Sequence, residues 1–168
     1  RTSKVRTHKS RMNYGWDFSP RVVHQGIWDD VWVDFSGEAR LADVFVRPTL
    51  ADDRQQAHVA VAVSIDVDTP LDAEVRVRIL RDGIVAEAQA AASLEPGVTV
   101  VEAAVVILEP DLWWPNGYGE QALYMADVEV RVDGAVSDTQ TVKFGIRRLR
   151  FVPNDTTDLG EDDGDWGG

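Results

Sequence analysis

Asn13-Tyr14-Gly15-Trp16-Asp17-Phe18-Ser19-Pro20 sets one carboxylate between two aromatic rings, beside a glycine and a proline that fix the backbone. Flat ring faces next to a fixed carboxylate suit a sugar. The C–H face of the sugar packs on a ring while its hydroxyls donate to the acid. The competing reading of the same residues is a turn capped by Asp17, with Trp16 filling a core. A second aromatic group, Leu112-Trp113-Trp114-Pro115-Asn116-Gly117-Tyr118-Gly119-Glu120-Gln121, surrounds a Pro115-Asn116-Gly117 turn. Its rings could stack on a ligand or clamp the loop onto a sandwich.

Other chemistries find little here. With no cysteine in the chain, disulfides and thiolate catalysis are excluded. That fits a reducing compartment without requiring one, so the location stays open with the cytoplasm slightly favoured. His8, His24 and His58 are scattered without the paired spacing of a zinc site. Glu161-Asp162-Asp163-Gly164-Asp165 lacks the alternating ligands and the later bidentate glutamate of a calcium loop. There is no phosphate-cradling glycine loop and no nucleophile elbow, so neither metal nor cofactor is expected. A net charge of −12 repels polyanions, which argues against nucleic acid and anionic membranes as partners. No apolar run approaches the roughly 20 residues of a membrane-spanning helix. Residues 1–11 are basic and polar, without the apolar stretch of a secretory signal.

The elements that must carry these residues are strands. Val59, Val61, Val63, Ile65 and Val67 alternate with small or polar residues, and so share one face. Val75, Val77 and Ile79 do the same with Arg76 and Arg78 turned away, as do Val128, Val130 and Val132 against Glu129 and Arg131. Val142, Phe144 and Ile146 form a further set, and a phase slip at Arg147-Arg148 predicts a bulge or the end of that strand. Asp82-Gly83 and Asp133-Gly134, each between alternating runs, are strong hairpin signals, and Pro96-Gly97 marks another turn. Strands are predicted at 40–47, 57–67, 73–81, 84–92, 98–108, 122–132 and 138–147. The alanine-rich 86–92 is assigned to a strand by its neighbours, against its helical propensity. Seven short antiparallel strands suit an all-β, immunoglobulin-like sandwich without its disulfide. Trp28, Val31, Trp32, Val33 and Phe35 read as one more strand that needs a sheet to join.

Taken in order and spacing, the Tyr14–Pro20 run, Gly26-Ile27-Trp28-Asp29-Asp30-Val31-Trp32, the Trp113-Trp114-Pro115-Asn116-Gly117 segment and Phe144-Gly145-Ile146-Arg147 resemble the non-catalytic β domains of glycoside hydrolase family 2. Within that family they are most similar to the β-mannosidase branch, with its aromatic-Gly-Trp-Asp-Trp-Gly-Pro run followed by Gly-Ile-Trp. Phe18 stands where that pattern has its second tryptophan, and Ser19 where it has glycine.

The resemblance implies three segments. Residues 1–37 would be the last part of a jelly-roll sugar-binding domain, 38–152 an immunoglobulin-like β-sandwich, and 153–168 an acidic linker or tail. It implies that Trp16 walls a sugar subsite and that Asp17 accepts hydrogen bonds from the hydroxyls of a β-mannoside oligosaccharide. It makes Trp113, Trp114, Pro115, Asn116 and Gly117 a structural signature. It places the two catalytic glutamates on a barrel that lies outside these residues and acts in cis. Glu38, Glu74, Glu87, Glu95, Glu102, Glu109, Glu120, Glu129 and Glu161 match neither catalytic motif, and those on strands are expected to face solvent. The chain alone is therefore expected to be inactive, while its parent is a glycosidase. The alternatives are an exo-β-glucosaminidase fragment, a free carbohydrate-binding module, or an interaction sandwich without a saccharide.

Overall fold

A computed structural model describes residues 11–18, 20–22, 24 and 26–150. The chain divides into two compact units, Arg1–Asp34 and Phe35–Gly168. The acidic segment 153–168 lies outside the described residues.

The second unit is built of seven strands: β1 (Ala39–Leu50), β2 (Gln56–Val67), β3 (Leu71–Leu80), β4 (Ile84–Leu94), β5 (Gly97–Leu108), β6 (Tyr124–Val132) and β7 (Ala135–Phe144). They form two antiparallel sheets, ordered β1-β2-β5 and β4-β3-β6-β7. The inward residues of the central strands make the core. Val59, Val61, Val63 and Ile65 of β2 and Val75, Val77 and Ile79 of β3 are fully buried. Val128 and Val130 of β6 lie beside Val77 and Val75 of β3 in the same sheet and belong to the same core cluster. Each such side chain gains about 1.5–3 kcal/mol from leaving water, which is what selects this register over a one-residue slip.

Both Asp-Gly pairs make their hairpins. Asp133 (φ 50°) and Gly134 (φ 77°) close a two-residue turn with Val132 paired to Ala135. That geometry needs positive φ at both central positions, which glycine adopts without strain. The last strand consequently starts at residue 135 rather than at the expected 138. Around Asp82-Gly83 the hairpin keeps β4 hydrogen-bonded to β3. In the constant-type immunoglobulin arrangement the fourth strand instead joins the sheet of the first two. The alanine-rich segment is strand throughout, lying within β4.

Three expectations change. The last strand ends at Phe144, so the phase slip at Arg147-Arg148 marks chain that has already left the sheet. Ile146 stays fully buried, its carbonyl turned to the 113 loop. Glu129 does not face solvent freely: it is only 15% exposed, held by Arg78 at 2.6 Å and Arg131 at 3.3 Å. The expected strand at 28–35 is not formed. Ile27, Trp28, Val31, Trp32 and Val33 run without a ladder and are 72% to 83% exposed, having no partner strand to pair with among the described residues.

One seam joins the two sheets at their edges. A bulge in β7 leaves Ser137 out of register with β6. Freed from that ladder, its hydroxyl accepts from the Ala39 amide (2.9 Å) and donates to the Ala39 carbonyl (2.8 Å). The Ser137 carbonyl accepts from the Gly37 amide at 2.7 Å, and the Asp138 carboxylate from the Leu41 amide at 2.8 Å.

Candidate functional site

In the first unit, the 3₁₀ turn Arg11–Tyr14 closes with the Gly15 amide donating to the Met12 carbonyl at 3.0 Å. The chain then presents Trp16, Asp17 and Phe18. Trp16 is 56% exposed and Phe18 92%. The Asp17 carboxylate is exposed and makes no hydrogen bond or ion pair among the described residues. Among the described residues the indole fills no core and the acid caps no turn. A ring and a carboxylate on adjacent residues, both open to solvent, can meet the two faces of one sugar. Ser19 lies outside the described residues.

The second aromatic group lies in the second unit, on the connection from β5 to β6, and its backbone is tied down at both ends. The Trp113 amide donates to the Ile146 carbonyl (2.9 Å), and Trp113 also bridges to Gln121. The Trp114 amide donates to the Glu120 carbonyl at 2.9 Å, and the Tyr118 amide to the Pro115 carbonyl at 3.0 Å, around the Pro115-Asn116-Gly117 turn. The Arg147 guanidinium sits 4.8 Å from the centre of the Trp113 ring, a cation–π stack. Trp114 packs on Gly119, where a Cβ would lie 2.8 Å from its Cδ1. Only glycine leaves room for that ring, so the loop shape and the residue type depend on each other. Trp114 keeps 39% of its surface exposed, and Tyr118 is the most open ring of the loop, at 80% exposure.

Arg81, at the end of β3, fastens the same loop from the other side. Its Nε lies 2.8 Å from Asp111 and its Nη2 2.9 Å from Glu120. The hydrogen bond to Glu120 leads the causes that raise the Arg81 pKa, with both acids adding charge attraction against the opposing effect of burial. The guanidinium also lies 5.6 Å from the centre of the Tyr124 ring, which stacks on Phe144. Burial pushes the Tyr124 hydroxyl above its ordinary pKa, although the Asp111 amide, donating to that oxygen at 2.8 Å, opposes the shift. Sequence reasoning missed this cluster. Tyr124 was findable as an inward position of an alternating strand, whereas Arg81 and Glu120 are separated by 39 residues and no pattern links them.

Among the described residues, no three His, Asp or Glu side chains come together to hold a metal ion, and no helix is long and apolar enough to cross a membrane.

Comparison with known proteins adds a family to this geometry. The model of the glycosyl hydrolases family 2 matches residues 39–147. The β-mannosidase B of Aspergillus terreus is 31% identical over 150 residues, covering 89% of this chain and 17% of that protein. The β-mannosidase B of Neosartorya fischeri is 32% identical over 153 residues, with the same coverages. Among solved structures, the β-D-mannosidase of Dictyoglomus thermophilum superimposes with a TM-score of 0.77 at 30% identity, over 89% of this chain and 18% of that one. The exo-β-D-glucosaminidase CsxA gives a TM-score of 0.61 at 26% identity, over 72% of this chain and 14% of its own. The chain thus spans about a sixth of the length of the curated relatives it matches.

Proposed function

Because this chain belongs to family 2 of the glycosyl hydrolases, we propose that it is the non-catalytic β portion of a longer glycosidase that removes terminal β-linked mannose from oligosaccharides. In this reading residues 1–37 complete a sugar-binding jelly-roll domain. The sandwich is a rigid spacer that holds the Trp16-Asp17 loop at the mouth of a catalytic barrel outside the chain. Trp16 walls the subsite for the terminal sugar, and Asp17 takes its hydroxyl hydrogen bonds. Trp113 to Gly117 are structural.

The observation that carries the reading is the exposed, unpartnered Asp17 beside an exposed Trp16, in a chain whose β-mannosidase relatives match it over 89% of its length. Exposed apolar residues at 27–33 fit a sheet completed by more polypeptide. A rigid spacer matters because a misplacement of about 1 Å can cost a hundredfold in rate.

The test is Asp17→Asn in the full-length protein. A charge-assisted hydrogen bond is worth about 1.5–3 kcal/mol, so kcat/KM on a β-mannoside should fall about tenfold to a hundredfold. The melting temperature should stay unchanged, since Asp17 makes no hydrogen bond or ion pair among the described residues. Normal kinetics with a lower melting temperature would make Asp17 structural. A second reading, an exo-β-glucosaminidase, is kept open by Phe18 in place of tryptophan and by the likeness to CsxA. Comparing turnover of β-mannoside and β-glucosaminide substrates separates the two.

A further inference from the structure

Among the described residues a basic concavity lies just before the most acidic stretch of the sequence. A groove of about 420 Å³ in the second unit is lined by Arg54, Trp113, Trp114, Arg147, Arg148 and Arg150. Four guanidiniums face it. The Arg147 guanidinium lies over the Trp113 ring, and among the described residues Arg148 is the one of the four in an ion pair, with Asp52. Asp53, also nearby, is occupied by the Gln55 amide at 2.9 Å. The net charge of the groove is therefore positive in a molecule whose net charge is −12.

Downstream of Arg150 the sequence carries Asp155, Asp158, Glu161, Asp162, Asp163 and Asp165 and no base between them. The five residues from Arg150 to Asp155 span at most about 18 Å, so the first of these acids is tethered within reach of the groove. A short tether gives an effective concentration in the millimolar range, so weak individual ion pairs are enough to fill the groove. The remainder of the acidic chain repels the same segment.

We propose that this groove is a docking site for the chain's own acidic segment, residues 155–165. Arg54 and Arg150 act as the outer charges, and the Trp113-Arg147 stack as the floor. Fork-shaped guanidiniums match carboxylates in two parallel hydrogen bonds, which suits this pairing better than lysines would. Docking fixes the direction in which polypeptide leaves the sandwich. The inference does not depend on the sugar-binding reading.

The chain has no cysteine, so Gly160→Cys gives a single attachment point for a nitroxide label on the full chain. The readout is paramagnetic loss of the Trp113 and Trp114 indole N–H signals by NMR. Raising salt from about 0.01 M to about 1 M shortens the screening length from about 30 Å to about 3 Å. The expected result is a several-fold loss of those two signals at low salt, recovered at high salt and in Arg54→Glu/Arg150→Glu. Unchanged Trp113 and Trp114 signals at low salt overturn the proposal, and so does a loss that salt and the charge reversals leave in place. Mixing labelled chain with isotopically enriched unlabelled chain reports a segment donated by a second copy. Broadening in that sample alone also overturns docking in cis.

Discussion

Ser137 shows how a single hydroxyl can do what a strand ladder does elsewhere. As the extra residue of a bulge it has no β6 partner, and its oxygen both accepts from and donates to the backbone of Ala39, 98 positions away. Ser137→Ala would leave an amide and a carbonyl of β1 unmet in a half-buried seam. The expected loss is about 1–3 kcal/mol, read by urea denaturation. Nothing in the sequence marks this residue, because bulge position and long-range pairing leave no local pattern. Tyr124 leads to a pH prediction. Its folded pKa is raised, chiefly by burial, so the stability drawn from the neutral hydroxyl is complete below the ordinary tyrosine value of about 10 and is lost as pH climbs through the folded value. Wild type should thus lose its advantage over Tyr124→Phe only on the alkaline side, as followed by thermal melts from neutral pH to about pH 11.

The strands were legible because one physical pattern governs them. Alternation from Val59 to Val67 and from Val75 to Ile79 is what a half-buried sheet demands, and the Asp-Gly pairs supply the reversals. The ends were less legible. β7 stops at Phe144 although alternation continues to Ile146, because the Ile146 carbonyl is taken by Trp113. The 28–35 run has a strand's composition and forms none, since a strand exists only where another supplies its hydrogen bonds. Within β2 and β5, the two faces should respond oppositely to truncation. Ile65→Ala removes a fully buried side chain and should cost about 2–5 kcal/mol. Val100→Ala, on a residue 58% exposed, should stay within about 0.5 kcal/mol. Equal losses at the two positions, in the same denaturation assay, would mean that the outer face is covered.

For the molecule as a whole, family membership and the partial span of the relatives set the expectation that chemistry resides elsewhere. The isolated chain should therefore show no turnover of a chromogenic β-mannoside above a buffer control, while its fold remains cooperative by melting. Measurable hydrolysis, abolished by a glutamate substitution within the chain, would relocate the active site to this sandwich. The Trp16-Asp17 pair, proposed as a sugar contact, is picked out by residue types alone, whereas the Arg81 clamp on the 111–120 loop is not. The first is a local sequence and the second a tertiary meeting.

The seam between β1 and β7 has a mechanical consequence. Gly37, Ala39 and Leu41 bond in ascending order to Ser137 and Asp138, so the two edge strands run side by side in the same direction where they meet. Tension drawing the chain apart at Gly37 and Phe144 loads those bonds in shear, all together, rather than peeling them one at a time. Under such a pull the sandwich would resist between its ends as a strut rather than bend as a hinge.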